Sequence, residues 1–177
     1  MAFIEDVRNV IVKGLTQYMG VPVILSDQIK KETPVPFMIY SVVSPHIPAA
    51  GVVYARRFAE DGHDVESVRT EQPTATLSFT ACSENRDGSG GKVSGESEAI
   101  ALAEKATGWF RHVGYHLLQS AGLVVVEVQS PAPRSTFVVV ETARRWGFDV
   151  TIRYSHTIVR NDSAIDTTTI FQRRDTE

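Results

Sequence analysis

Hydrophobic residues recur at steps of three and four positions in the first part of the chain. They are Phe3, Ile4, Val7, Val10, Ile11 and Leu15, with charged or polar residues at most of the positions between them. This spacing predicts an amphipathic helix with one face on a core. The helix is expected to stop at Gly20, because Pro22 lacks a backbone N–H and cannot continue it.

Several later segments carry the pattern of β-strands. Residues 21–25 form a short β-rich run, and residues 37–43 are mostly apolar at successive positions, which is typical of a central strand. Residues 74–81 alternate between apolar side chains and threonine or serine, which predicts a strand with one buried face. The most regular alternation covers residues 147–158 and predicts another strand.

Two shorter apolar runs predict further strands at residues 123–128 and 137–140. Pro131 and Pro133 lie between them and are expected to keep the turn out of the hydrogen-bonded ladder, because proline donates no backbone hydrogen bond.

A second, longer helix is predicted over residues 96–121, with Ser94 or Ser97 as its N-cap and Gly122 at its end. Its apolar stripe consists of Ala99, Ala103, Ala106, Phe110, Val113 and Leu117. The preceding residues 85–95 are rich in glycine and serine. Because this segment lacks the GK[ST] signature of a phosphate-binding loop, it is interpreted as a flexible connector.

Residues 49–70 differ from the rest of the chain. Asp61-Gly62 lies between β-prone flanks, which is a strong hairpin signal. The flanks are heavily charged, so such a hairpin can bury little of itself, and we interpret it as an arm that projects from the domain. The alternative is a mobile surface loop.

The order of elements favours an α+β fold. We expect a largely antiparallel or mixed β-sheet with two helices packed on one face, plus the projecting β-hairpin arm at about 49–70. Residues 1–162 are predicted to form one domain, and residues 163–177 an edge strand or an extended tail.

Composition excludes several classes of protein. In 177 residues, 42% hydrophobic residues and 22% charged residues are inconsistent with a disordered chain or a collagen. Eighteen basic and 21 acidic residues give a formal charge of −3, which argues against a protein that wraps nucleic acid. The single cysteine, Cys82, cannot form an internal disulfide.

Motifs for catalysis are weak. His112 and His116 have a spacing that can hold zinc, but Val113 stands where the metalloprotease pattern needs glutamate, so they are interpreted as packing residues. Cys82 has no evident base beside it. We therefore predict no catalytic residue, no metal and no cofactor.

Charged residues in the arm and in the last third of the chain are candidates for contacts between subunits or with a partner. They are Arg56, Arg57, Asp64, Glu66, Arg69, Arg144, Arg145, Arg153 and Arg160. Guanidinium groups can make bidentate contacts with carboxylates across an interface. The alternative for Arg144 and Arg145 is a solvated basic stretch.

Four pieces of the chain, in order, resemble the neck or tail-terminator proteins of long-tailed bacteriophages. They are the first helix running into GVPV (20–23), RTEQP (69–73) leading to LSFTA (77–81), a long helix with WF (109–110) before GLVVV (122–126), and RRWGFDV (144–150) leading to IRY (152–154). The resemblance covers about residues 3–160. The arm and the glycine-rich loop look like additions to the family pattern.

The resemblance implies a structural virion protein of the neck and no enzyme. Such a protein forms a ring, usually of six copies, at the head-proximal end of the tail tube, where it stops tube polymerisation. The implied partners are the tail tube protein, the head-completion or connector proteins and, in a contractile tail, the sheath protein. DNA would pass through the lumen without specific binding, no membrane is involved, and assembly would take place in the host cytoplasm.

Three other functions stay open from the sequence. One is another neck, head-completion or tail-tube component. The second is a small soluble enzyme that uses His112, His116 or Cys82, and the third, disfavoured by the charge, is a DNA-binding module.

Overall fold

The computed structural model describes residues 3–29, 33–60, 64–88, 91–134 and 143–162. Within these ranges the chain contains three α-helices, α1 (Phe3–Met19), α2 (Gly95–Gly108) and α3 (Tyr115–Ser120). The first helix ends at Gly20, whose φ of 71° is favourable only for glycine, and whose N–H donates to the Thr16 carbonyl at 3.1 Å. The predicted first helix and its stop signal are therefore confirmed.

The main sheet has five principal strands in the spatial order β1-β2-β5-β10-β8. They are β1 (Val23–Leu25), β2 (Phe37–Ile47), β5 (Thr74–Ser83), β10 (Arg144–Arg153) and β8 (Val124–Val128). β1 and β2 are parallel, and the other neighbours are antiparallel. A two-residue strand, β9 (Ala132–Pro133), also pairs with β10, so Pro133 lies inside the ladder at its edge and not in the turn expected for it.

One face of the main sheet is covered by helices. Phe79 of β5 and Phe148 of β10 are fully buried and stack with their ring centroids 5.8 Å apart, and Phe110 lies 5.1 Å from Phe79. Buried alanines on α2, at positions 99, 103 and 106, allow this helix to lie close to β5 and β10. α1 contributes its buried apolar residues to the same core. The sheet covered on one face by helices confirms the α+β architecture predicted from the sequence.

The second helix predicted at 96–121 is not continuous. After α2, residues Trp109–Val113 form a π-helical turn, and α3 begins beyond Gly114. A π-helical turn holds more residues than an α-helical turn, so it displaces the face that follows. Leu118 is therefore buried, whereas the predicted stripe residues Val113 and Leu117 are exposed.

Trp109 is the first residue of the π-helical turn and packs between α1 and α3. Its indole is buried, and a Cβ placed on Gly114 would lie 2.7–2.9 Å from the ring atoms. A Cβ on Gly14 of α1 would come within 2.9 Å of the same ring. Two glycines thus make the room that this large side chain fills between α1 and α3.

A second sheet is formed by three strands that adjoin, along the chain, the three central strands of the main sheet. Its order is β11-β4-β3, with β3 (Val52–Phe58), β4 (Val65–Glu71) and β11 (His156–Asp162) all antiparallel to their neighbours. β2, β5 and β10 connect to β3, β4 and β11 through two to four residues each. The strands that flank the predicted Asp61-Gly62 turn therefore pair as expected, but the turn itself lies outside the described residues.

Two other predictions need correction. The strand expected at residues 147–158 is divided, because β10 ends at Arg153 and β11 begins at His156 in the other sheet. The flexible connector expected at 85–95 contains a short hairpin of β6 (Arg86–Gly88) and β7 (Gly91–Val93). The predicted strand at 137–140 and the segment 163–177 lie outside the described residues.

Candidate functional site

The second sheet exposes large apolar side chains. Tyr54 and Phe58 on β3 are 75% and 74% exposed, and Ile158 on β11 is also exposed. In register, Arg69 on β4 lies between Tyr54 on β3 and Ile158 on β11. Large apolar side chains exposed together on one face of a sheet indicate a binding surface.

Arginines surround these apolar residues. Arg56, Arg69 and Arg160 line a groove of about 640 Å³ together with Tyr54 and Ile158. Cross-strand register places Arg56 and Arg160 on either side of Ser67, so their guanidinium groups share one face of the sheet. The groove therefore offers a partner apolar side chains and the guanidinium group of Arg56.

Several charged residues of this sheet are already paired within the chain. Arg57 Nε lies 2.6 Å from Glu66 Oε2 on the opposite face. Arg160 donates to both carboxylate oxygens of Asp162, at 2.8 and 3.1 Å, and these hydrogen bonds lower the pKa of Asp162. Because these pairs lie at the surface, they contribute little to stability.

A buried carboxylate lies where the two sheets join. Glu71, the last residue of β4, is 3% exposed and accepts two hydrogen bonds from Arg69, at 3.0 and 2.9 Å. The hydrogen bonds from Arg69 are the main cause of the lowered pKa of Glu71. Burial acts in the opposite direction, and a hydrogen bond from His156 adds to the lowering.

Two histidines approach the same carboxylate oxygen. His46 Nε2 lies 3.4 Å and His156 Nδ1 3.3 Å from Glu71 Oε1. His46 Nδ1 lies 3.1 Å from the Tyr154 hydroxyl, which in turn donates to the Pro45 carbonyl at 3.2 Å. These residues lie where the strands of the two sheets meet: His46 near the end of β2, Glu71 at the end of β4, His156 at the start of β11, and Tyr154 between β10 and β11. We call His46, Glu71 and His156 the junction cluster.

The face of the main sheet remote from the helices is polar. Arg134 lies across it and donates to Asp149 at 2.6 Å, to Thr80 at 3.2 Å and to Ser78. Gly147 makes room for this arginine, because a Cβ there would lie 2.6 Å from Arg134 Cδ. Burial alone would raise the pKa of Asp149, but hydrogen bonds from Arg134 and Ser78 outweigh it and leave the pKa lowered.

The β6–β7 hairpin is attached to α2 by a salt bridge. Arg86 donates to both oxygens of Glu98, at 2.7 and 2.8 Å, and Ser83 donates to the same carboxylate. The hydrogen bonds from Arg86 are the main cause of the lowered pKa of Glu98.

A second apolar surface lies at α3 and the edge strand β8. Tyr115, Val124 and Val126 are exposed there and line a cleft of about 410 Å³. Glu127 also lines this cleft and is exposed. Arg111 lines the same cleft and donates to the Val128 carbonyl at 3.1 Å, so the α3–β8 surface combines apolar groups with one acidic and one basic group.

The structure divides the charged residues predicted as contact sites. Arg56, Arg57, Glu66, Arg69 and Arg160 belong to the second sheet, and Asp64 directly precedes β4. The other three predicted residues belong to β10. Arg144 and Arg145 begin this strand, and Arg153 ends it. One guanidinium that the sequence analysis did not single out is Arg134.

The residues considered for catalysis are poorly placed for it. His112 lies in the π-helical turn and His116 in α3, and both are exposed, so their interpretation as partly buried packing residues was wrong. The Cys82 side chain is buried, and its thiol faces the Thr80 carbonyl at 3.9 Å. The junction cluster was missed because its members are 25 and 85 residues apart and follow no spacing rule.

Comparison with known proteins gives one result that covers nearly the whole chain. A family model described as "Phage neck terminator protein" matches residues 7–173. The chain matches none of the curated proteins with which it was compared. Among the described residues, the helices are too short or too polar to cross a bilayer.

Proposed function

The chain belongs to the phage neck terminator family, a family of structural proteins located in the tail and neck of the virion, and from this premise we propose that it is the tail terminator of its particle. Copies of the chain close into a ring, of six subunits in this proposal, on the head-proximal end of the tail tube. The ring stops tube polymerisation and offers its other side to the head-completion proteins.

The family match over residues 7–173 is the observation that carries this proposal. The structure supports it through the second sheet, whose strands β3 and β11 carry side chains on both faces that are exposed among the described residues. The role requires no chemistry, and the family gives no reason to expect a catalytic site.

A ring needs a heterologous interface, in which one surface meets a different surface on the next copy. The chain offers two candidate surfaces, and each of them exposes apolar side chains. In this proposal the groove with Arg56, Arg69 and Arg160 receives the α3–β8 surface of the next subunit, and Glu127 meets Arg56. Arg144, Arg145 and Arg153 are left for contacts with the tube, the sheath protein of a contractile tail or the connector.

The net charge agrees with a conduit for DNA. At −3 per subunit, the ring as a whole is negative and does not hold the phosphate backbone along its wall. DNA is expected to pass through the lumen without specific binding.

Electron microscopy of particles that lack the chain tests the role. We expect tubes of uncontrolled length that do not join heads, and a single ring at the head-proximal tube end when the chain is supplied. Rings stacked along the tube would contradict the proposal and identify a tube component.

A charge swap tests the proposed interface. Native mass spectrometry should show that Glu127→Arg prevents ring formation, since it places a positive charge against Arg56, and that Arg56→Glu in the same chain restores it. Glu96→Arg, an exposed acidic position at the start of α2, is the matched control and should leave the ring intact. Loss of the ring in the double variant would contradict this pairing.

Deletion of residues 52–68 tests the role of the second sheet. Because β2 and β5 still pair up to Ile47 and Thr74, the main sheet should fold. The shortened chain is expected to stay monomeric, and an unaltered ring bound normally to the tube would contradict the proposal.

A further inference from the structure

The junction cluster has the composition of a transition-metal site. His46, Glu71 and His156 offer two imidazole nitrogens and one carboxylate oxygen, which all lie within 4.8 Å of one another. Two imidazoles and one carboxylate are a known ligand set for zinc with an open fourth position. We propose that the junction cluster binds Zn²⁺.

The distances fit a tetrahedral ion. With metal–ligand bonds of about 2.0–2.1 Å, neighbouring ligand atoms in a tetrahedron lie about 3.3 Å apart. His46 Nε2 and His156 Nδ1 lie 3.4 and 3.3 Å from Glu71 Oε1. Two edges of the coordination polyhedron are thus already close to the required length.

The outer contacts of the cluster are also those of a metal site. A ligating histidine normally donates its other ring N–H to a fixed acceptor, which sets its tautomer. His46 Nδ1 faces the Tyr154 hydroxyl at 3.1 Å, and this hydroxyl has the Pro45 carbonyl as its own acceptor at 3.2 Å. If the hydroxyl donates to Pro45, the neutral imidazole of His46 donates from Nδ1, which leaves the Nε2 lone pair facing Glu71 Oε1 and available to a cation.

Arg69 acts against the metal and gives a specific test. Its guanidinium holds both oxygens of Glu71, at 3.0 and 2.9 Å, and repels a nearby cation. Each carboxylate oxygen keeps a second lone pair, so Oε1 can bind Zn²⁺ while it accepts from Arg69. Removal of the Arg69 charge should therefore raise the affinity for the metal.

The position of the site indicates what the metal does. His46 lies near the end of β2, Glu71 at the end of β4 and His156 at the start of β11, so one ion joins the three strands where they leave or enter the second sheet. The ion would fix the orientation of the second sheet against the main sheet.

The test uses the full chain with the other three histidines replaced, His63→Ala, His112→Ala and His116→Ala, so that the only imidazoles left are those of the junction cluster. This background also removes the exposed pair at 112 and 116, which could bind metal by itself. After treatment with a chelator, the chain is titrated with Zn²⁺ in a calorimeter and with Co²⁺ by visible absorption. We expect one ion per chain and the intense spectrum of tetrahedral Co²⁺.

Variants of the cluster separate a metal site from a simple hydrogen-bond network. His46→Ala and Glu71→Gln should each lower the affinity at least about 100-fold, and Tyr154→Phe about 10–100-fold. Arg69→Met should raise it. Circular dichroism of the metal-free variants shows whether each still folds, and imidazole nitrogen shifts in nuclear magnetic resonance identify the coordinating atoms as Nε2 of His46 and Nδ1 of His156.

Two results would overturn the proposal. One is the absence of Zn²⁺ binding by both the background chain and its Arg69→Met variant while they remain folded. The other is binding that does not change when His46 and His156 are both replaced by alanine, because the ion would then lie elsewhere.

Discussion

The main sheet and the second sheet share three strand paths but differ in what covers them. In β5 the alternate residues Ala75, Leu77, Phe79 and Ala81 are fully buried under the helices. In β3 and β11, most residues on both faces are exposed. A three-stranded sheet that buries neither face is marginal by itself. It follows that the part of each path in the main sheet makes the fold. In the proposed ring, the part in the second sheet is the surface that meets the next subunit.

The largest effect on the fold is expected from Phe79→Ala in the covered face. The ring is fully buried against Phe110 and Phe148, so its loss leaves a cavity and should lower the free energy of unfolding by about 3–5 kcal/mol. Chemical denaturation monitored by circular dichroism measures the change. A loss below about 1 kcal/mol would show that this core is not as closely packed as described.

A smaller effect is expected from Gly114→Ala, beside the π-helical turn. The added Cβ would meet the Trp109 indole at 2.7–2.9 Å, and overpacking of this kind costs about 1–3 kcal/mol. Gly108→Ala is the control, because its Cβ would meet nothing within 4 Å and its backbone is helical. The control should be neutral or stabilising by up to about 1 kcal/mol. Equal losses would contradict the role given to Trp109.

Acid should weaken the polar face of the main sheet. The pKa of Asp149 is lowered in the fold, so this carboxylate contributes stability that is complete above its ordinary pKa of about 4 and is lost as the pH falls through the lowered value. Asp149→Asn should remove part of the pH dependence of unfolding below pH ~4, on the order of 1 kcal/mol. The same slope in Asp149→Asn and the unaltered chain would contradict this assignment.

The smallest effect on the free chain is expected from Tyr54→Ala in the second sheet. A side chain that is 75% exposed contributes little to folding, so the free energy of unfolding should change by no more than about 0.5 kcal/mol. Native mass spectrometry should nevertheless show fewer rings. A variant that is strongly destabilised but still assembles would reverse the division between the two sheets.

The parts of the fold that follow local rules could be predicted from the sequence. The stripe of α1, its stop at Gly20 and the alternation of β5 depend on neighbours within a few residues, and the structure has them all. The division of the strand at 147–158 could not be predicted, because Tyr154 continues the apolar alternation. In the structure the Tyr154 N–H donates to the Pro73 carbonyl between the two sheets, and this hydrogen bond joins residues that are distant in sequence.

The helix at 96–121 shows how a local rule fails. The spacing of Phe110, Val113 and Leu117 continues the apolar stripe, but the turn around Trp109 inserts an extra residue and buries Leu118. The candidate site shows the same limit of local sequence rules. Charge alone selected Arg56, Arg69 and Arg160 as candidates, whereas the approach of His46 and His156 to Glu71 depends on the pairing of strands far apart in the chain.

A cryo-electron microscopy reconstruction of the neck of the assembled particle tests the central claim most directly. The account predicts one closed ring between tail tube and head, with the second sheet of each subunit buried against the α3–β8 surface of the next. A reconstruction in which that density belongs to another protein, or in which the second sheet is exposed to solvent on every copy, would contradict it.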